Sequence, residues 1–277
     1  MLQGAVSMKP NVGVIGAGRM GAPIIGHLVR KGFATQACDL NPARQEVVTG
    51  HGAQWAESAA VMAPACEVIL VCVGFDAEVR ALLAEDGELA SLREGSIVAV
   101  LSTIHPDTVK ELAAQAQTRG VHVVDSTVCR GGEAADNGTL LSFVGGSAEV
   151  VEQLTPVLKA YSADVVHTGG VGTAQVAKAV NNLILWACLV ADHEGLALAQ
   201  HYGANIEALR KALLISSCTN GPLEKWGTQT MAWAEDDMVI VGEMAAKAGI
   251  ALPQAGLNRE VCRALKPKRY QLEKYGR

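Results

Sequence analysis

The chain reads as an α/β protein: a doubly wound, mostly parallel sheet in its first half, followed by an all-α region entered through one long helix. Three observations predict this. Short, continuous apolar runs alternate with helical stretches through the first half, no strand pattern remains beyond Gly172, and residues 173–202 form an unbroken helical run that is apolar nearly all round. Runs of that first kind mark strands covered on both faces, as in parallel sheets whose crossovers are helices. The elements follow in order. Residues 11–16 are a β-branched strand, residues 22–31 an amphipathic helix closed by Gly32, and residues 34–39 a second strand. Residues 68–73 and 96–101 are continuous apolar strands, and 121–125, 140–144 and 163–167 extend the series. The helix over 106–119 opens on Pro106, whose fixed backbone suits a first helical turn. Helices are expected over 206–214, over 236–248 before Gly249, and near 254–265, with the basic run from Lys266 to Tyr270 as a solvated end.

Between the first strand and helix lie Gly16, Ala17, Gly18, Arg19, Met20 and Gly21, which fit G-x-G-x-x-G. The first glycine permits the tight turn, the second lets backbone approach a pyrophosphate, and the third allows close packing of helix on strand. The phosphates would sit on the unpaired amides at the helix start. The second strand ends in Asp39, at the distance expected of the residue that accepts the ribose hydroxyls. These features together predict a Rossmann-type dinucleotide-binding domain over residues 1–168, with an all-helical domain over 169–277. A carboxylate at position 39 favours NAD and repels the 2′-phosphate of NADP; Arg44 is the nearest arginine after it.

Composition narrows the function classes. With 277 residues, 49% hydrophobic and 18% charged, the chain can bury a large core. A net charge of −5 and a pI of about 5.8 leave no electrostatic footprint for nucleic acid or an acidic membrane. No apolar run is expected to span a bilayer, since the richest, 179–190, carries two asparagines, and the first residues lack a secretory pattern. The seven cysteines form no C-x-x-C pair and most lie in apolar segments, as reduced thiols of a cytoplasmic protein would. The seven histidines show no ligand spacing, so no metal is expected.

Lys178 and Asn182 lie one helical turn apart in the long apolar run, so they share a face. An ammonium in such surroundings is a candidate for proton transfer, because burial and a nearby positive ring can bring a lysine toward the working pH range. The plainer alternative is an interface lysine with a snorkelling stem beside a structural amide.

With these pieces placed, the chain resembles the β-hydroxyacid dehydrogenases, the group that includes 3-hydroxyisobutyrate, tartronate semialdehyde and 6-phosphogluconate enzymes, over roughly residues 11–253. Four segments carry the resemblance: the glycine run Gly16–Gly21 with Met20; Leu101-Ser102-Thr103; Asp125 through Cys129-Arg130-Gly131-Gly132 with Gly138-Thr139-Leu140; and Gly169 through Lys178 to Asn181-Asn182. It implies Lys178 as general acid/base and Asn182 as its substrate-holding companion. It also implies Val73 and Thr103 on the cofactor, and Ser102, Cys129, Arg130 and Gly131 on a small anionic substrate. The resemblance further implies that the helical domain is the substrate and dimerisation domain, with a homodimer or larger homo-oligomer formed through it.

The sequence departs from the family pattern at three points. Cys129 stands where serine is usual, Arg130 where a glycine is usual, and Asp236 where a lysine is usual. A guanidinium fork suits an acidic group on the substrate. An imine reductase of the same fold, or a cofactor-binding regulator without activity, are the alternatives; relatives of both kinds usually lack the lysine.

Overall fold

Residues 9–228 and 230–276 are described by the computed structural model of the chain. The first of two units runs to Lys178. Its strands and helices are β1 (Val12–Ile15), α1 (Gly21–Arg30), β2 (Thr35–Cys38), α2 (Gln45–Gly50), β3 (Gln54–Trp55), α3 (Ala59–Met62), β4 (Val68–Val71) and α4 (Asp76–Leu83). Then come β5 (Ile97–Val100), α5 (Pro106–Gln117), β6 (His122–Asp125), β7 (Val128–Cys129), α6 (Gly131–Asn137), β8 (Leu140–Gly145), α7 (Ala148–Leu158) and β9 (Ser162–Gly169).

The strands form one sheet in the order β3-β2-β1-β4-β5-β6-β8-β7, with β9 beside β8. The first six are mutually parallel, the arrangement of a doubly wound dinucleotide fold. β8 runs antiparallel to β6 and β7 and parallel to β9, so the sheet is mostly parallel, as expected. The two-residue strands β3 and β7 had no signal in the sequence, being too short to show any period.

Continuous apolar strands arise because both faces are covered. On β4, Val68 and Leu70 enter one core while Ile69 and Val71 enter the other. Ile97 and Ala99 on β5 likewise oppose Val98 and Val100. Residues two apart share a face, so each strand serves both cores.

The division between the two compact units falls inside the long helix α8 (Thr173–His201), which begins in the first unit and continues into the second. Its first turns are fastened to the sheet by buried hydrogen bonds, so they belong with the first unit. The second unit also contains α9 (Ile206–Leu213), α10 (Gly221–Glu224), α11 (Ala234–Ala248) and α12 (Pro253–Leu265). Trp186, Leu189 and Val190 of α8 share a core there with Met238 and Val241 of α11 and Cys262 of α12.

One expectation about α8 changes. At 29 residues, with a mean hydropathy of 1.4 over its best 18-residue window, it is long and apolar enough to cross a membrane by length and composition. Its two asparagines do not break the run. One stripe of the helix is also bare: Val180, Ile184 and Leu198 are exposed on it.

The basic tail is also more than a solvated end. Tyr270 and Tyr275 stack near His193 of α8, with ring centroids 5.8 and 6.3 Å away, and Trp226 packs at 4.6 Å. Tyrosine rings are better spent covering an apolar site than facing water. His193 is 1% exposed, and neither ring nitrogen has a hydrogen-bond partner among the described residues. Burial therefore pushes its pKa down to about 4, from an ordinary 6.5. A depressed histidine contributes stability that is present above the unfolded pKa and lost as pH falls through the folded one. Urea unfolding is expected to show stability declining between pH 6.5 and 4, by about 1.4 kcal/mol per pH unit at the steepest from this residue. A His193→Phe variant should show a flatter profile over the same window.

Candidate active site

Parallel pairing aligns the strand ends. Ile15 pairs with Val71, Val71 with Val100, and Val100 with Asp125, so these four residues form one row across β1, β4, β5 and β6. The segments that follow therefore leave the sheet along a single edge: the glycine run, Val73, Ser102 with Thr103, and residues 126–132. In open parallel sheets this carboxyl edge is where ligands bind.

The glycine run has the geometry its sequence implies. Gly16 adopts φ +96°, and a Cβ there would collide with the Cys72 carbonyl oxygen. A Cβ on Gly21 would strike the Gly16 carbonyl, whereas one on Gly18 would enter open space. Two glycines thus serve packing, and the third leaves the loop open for a ligand to approach its backbone. The Asp39 carboxylate accepts from the Ala17 amide at 2.7 Å and from the Asn41 amide at 2.8 Å. It ties the glycine loop to the end of β2, and each oxygen retains lone-pair capacity for a ribose hydroxyl. These features fit a dinucleotide. Met20 packs on the core while Arg19 turns outward, forming a two-pronged pair with Asp136 at 2.7 Å. That guanidinium holds the Asp136 carboxyl below its ordinary range. Gly18, Arg19, Arg30, Arg44, His51 and Asp136 line an open cleft of about 470 Å³ beside the loop.

The start of α8 is fastened to the same edge. Asp125 is fully buried, and its carboxylate accepts from the Gly172 amide at 2.7 Å and the Gln175 amide at 2.9 Å. Burial raises its pKa while these backbone donors oppose the rise. Thr127 donates to the Ala174 carbonyl at 3.0 Å. The Gln175 carboxamide, 1% exposed, donates to Ser102 O at 2.8 Å and accepts from Ile104 N at 3.1 Å. The Ser102 hydroxyl accepts from the Val73 amide at 3.0 Å, so it links two of the edge loops. Thr103 beside it is half-buried.

Lys178, half-buried, lies one turn beyond Gln175. Its ammonium donates to the Val128 carbonyl at 2.8 Å and reaches within 3.9 Å of Cys129 Sγ. The structure therefore brings Lys178, Cys129, Ser102 and Val73 into one hydrogen-bonded edge. Asn182, one turn further along α8, is buried, and its Oδ1 accepts from Asn181 Nδ2 at 2.9 Å.

Arg130 adopts a left-handed φ of +84°, which explains why a glycine is usual at this place, and Gly131 follows at +78°. Its guanidinium donates to Asp164 Oδ2 at 2.6 Å and to the Thr139 carbonyl at 3.1 Å. In the second unit, Asp237 takes the Trp186 indole N–H at 2.9 Å, whereas its neighbour Asp236 is exposed. The sequence reading assigned no role to Asp125, Thr127 or Gln175. Gln175 did leave a signal, as a polar side chain within an apolar helical run.

Comparison with known proteins agrees with this architecture. Residues 11–170 match the family model described as the NAD binding domain of 6-phosphogluconate dehydrogenase. Residues 172–273 match the one described as NAD-binding of NADP-dependent 3-hydroxyisobutyrate dehydrogenase. An NAD-dependent L-serine dehydrogenase of Pseudomonas aeruginosa is 32% identical over 214 residues, covering 77% of this chain and 72% of that protein. A solved Mycobacterium tuberculosis 3-hydroxyisobutyrate dehydrogenase with L-serine superposes with a TM-score of 0.86 at 22% identity, over 95% of each chain. An imine reductase variant from Myxococcus stipitatus in complex with NAD+ has the same fold, with a TM-score of 0.69 at 22% identity over 95% of this chain and 96% of that one.

Replacing Asp125 by asparagine keeps its size but removes one acceptor from two buried amides. Hydrogen bonds to a charged group contribute about 1.5–3 kcal/mol each. Asp125→Asn is expected to lose about 2–3 kcal/mol of stability in urea and to lower turnover further than that loss explains. Unchanged stability and turnover would remove Asp125 from its positioning role.

Proposed function

The chain belongs to the β-hydroxyacid dehydrogenase family, as an NAD(P)-dependent oxidoreductase, and from that premise we propose that it interconverts a small β-hydroxy acid and its semialdehyde, with Lys178 as general acid/base. The observation that carries this reading is the Lys178 ammonium on the Val128 carbonyl, at the edge where the glycine loop also emerges. L-serine and 3-hydroxyisobutyrate, named with the relatives, share a primary alcohol β to a carboxylate. That shared group defines the proposed substrate class.

Gly16, Ala17, Gly18, Arg19, Met20, Gly21, Asp39, Val73 and Thr103 would hold the dinucleotide. When bound, it accepts or delivers the hydride. Lys178 handles the proton: its ammonium gives one to the carbonyl oxygen during reduction, and its neutral amine takes one from the hydroxyl during oxidation. One of its three hydrogens is committed to Val128, which fixes the direction of the others. Asn182, on the same helix, would hold the substrate. Ser102, Cys129 and Gly131 would line its path.

Arg130 would meet the acidic group of the substrate. Two of its donors are engaged by Asp164 and Thr139, and the guanidinium carries five, so it has capacity for an anion as well. The Asp39 carboxylate supports NAD over NADP; in that contest Arg44 is the group that would have to receive a 2′-phosphate. We also place self-association at the second unit, supported by the exposed Val180, Ile184 and Leu198 on α8. The proposed setting is the cytoplasm, with the seven cysteines as thiols. An imine reductase has the same fold, so the fold does not separate the two chemistries. Lys178 is the residue that favours the alcohol.

Lys178→Ala is expected to lower kcat at least ~100-fold while a fluorescence titration still shows cofactor binding. An alanine variant of near-normal turnover would place the proton donor elsewhere. Nicotinamide absorbance over L-serine, 3-hydroxyisobutyrate, tartronate semialdehyde and phosphorylated or sulfonated analogues should identify the substrate. In that panel Arg130→Ala is expected to raise KM most for substrates with an added anionic group, and an unaltered ranking would end that assignment. The same assay run with NADP should give the lower kcat/KM; equal or reversed values would overturn the reading of Asp39.

A further inference from the structure

Most of the buried thiols in this chain are held inert. Burial and acidic neighbours push Cys38 up to about 12 and Cys66 up to about 11, and Cys262, beside Asp237, up to about 12. Cys129 has a cation among its neighbours. It is 4% exposed at the end of β7, and the Lys178 ammonium lies 3.9 Å from its sulfur. A cation at that distance favours the thiolate, the reactive form of cysteine. Lys178 is itself half-buried. The Val128 carbonyl, 2.8 Å from Nζ, keeps the amine beside the thiol.

We propose that Cys129 and Lys178 form an oxidant-sensitive pair, which a peroxide converts into a reversible sulfur–nitrogen cross-link. In the first step the thiolate attacks one peroxide oxygen and the O–O bond breaks. The departing hydroxide takes a proton from the Lys178 ammonium and leaves as water. Sulfur is oxidised to the sulfenic acid, the peroxide is reduced, and the lysine becomes a neutral amine. In the second step that amine attacks the sulfenic sulfur: the S–N bond forms, the S–OH bond breaks, and hydroxide departs with an amine proton as a second water. Sulfenic acids are known to condense with a backbone nitrogen to a sulfenamide, the same bond change with a different nitrogen. Two molecules of a thiol reductant return the cysteine and the amine and become a disulfide.

The cross-link chemistry depends only on the pair. Its effect on turnover rests on the proton-transfer role proposed for Lys178, and the two are separable. The full-length protein is treated with hydrogen peroxide, digested without reduction and mapped by mass spectrometry. The expected product joins the Cys129 peptide to the Lys178 peptide, is two hydrogens lighter than their sum, and disappears with dithiothreitol. In Lys178→Arg, shown to be folded by circular dichroism, that product should be absent and dimedone should trap the sulfenic acid at Cys129. Cys129 left untouched while the exposed Cys218 is oxidised would overturn the proposal. So would oxidation of Cys129 to the sulfinic acid with Lys178 unmodified. If the cross-link forms and turnover persists, the pair stands and the role of Lys178 in proton transfer fails.

Discussion

The site depends on one buried interaction, the Asp125 carboxylate against the first amides of α8. A fully buried carboxylate is costly unless donors surround it. Here the donors are unpaired amides at a helix start, where the dipole also favours negative charge. Each side therefore satisfies the other: the strand end needs donors, and the helix needs an acceptor. Thr127 and Gln175 add bonds in the same place, so the first turns of α8 are held to β5 and β6 at several points. Lys178 inherits its position from this fastening, and Val128 sets the direction of its ammonium.

The opposite end of the edge follows a similar logic with different parts. The glycine loop is shaped by what a side chain would strike, and Asp39 joins it to the neighbouring strand. Ser102 then links the loop after β4 to the loop after β5, and Gln175 links that loop to α8. A chain of hydrogen bonds thus runs from Val73 to the helix that carries the lysine. Arg130 is the strained member of the edge. A left-handed conformation costs a non-glycine residue about 1–2 kcal/mol, and its side chain is pinned by Asp164 and Thr139. Both charges of that pair are partly exposed, which limits the strength of the pairing.

Much of this was legible in the sequence because it rests on short-range rules. The glycine spacing announced the loop, the apolar runs announced strands covered on both faces, and the spacing of Lys178 and Asn182 placed them on one helix face. Reading failed where contacts join distant residues. Gln175 showed only as a polar residue in an apolar run, since its partners at 102 and 104 are remote in sequence. The end of α8 was similarly opaque: no local rule tells that Tyr270 and Tyr275 close over His193, or that one stripe of the helix stays bare.

By itself, then, the sequence determined the element types, the glycine loop and the shared helix face of Lys178 and Asn182, because periodicity, backbone sterics and helix spacing act over a few residues. Tertiary structure alone decided that four strand ends align in one row, that Asp125 anchors the helix, that Arg130 is engaged by Asp164, and that Cys129 lies against Lys178. Those outcomes depend on strand register and on loops converging from separate crossovers, which only the folded chain brings together.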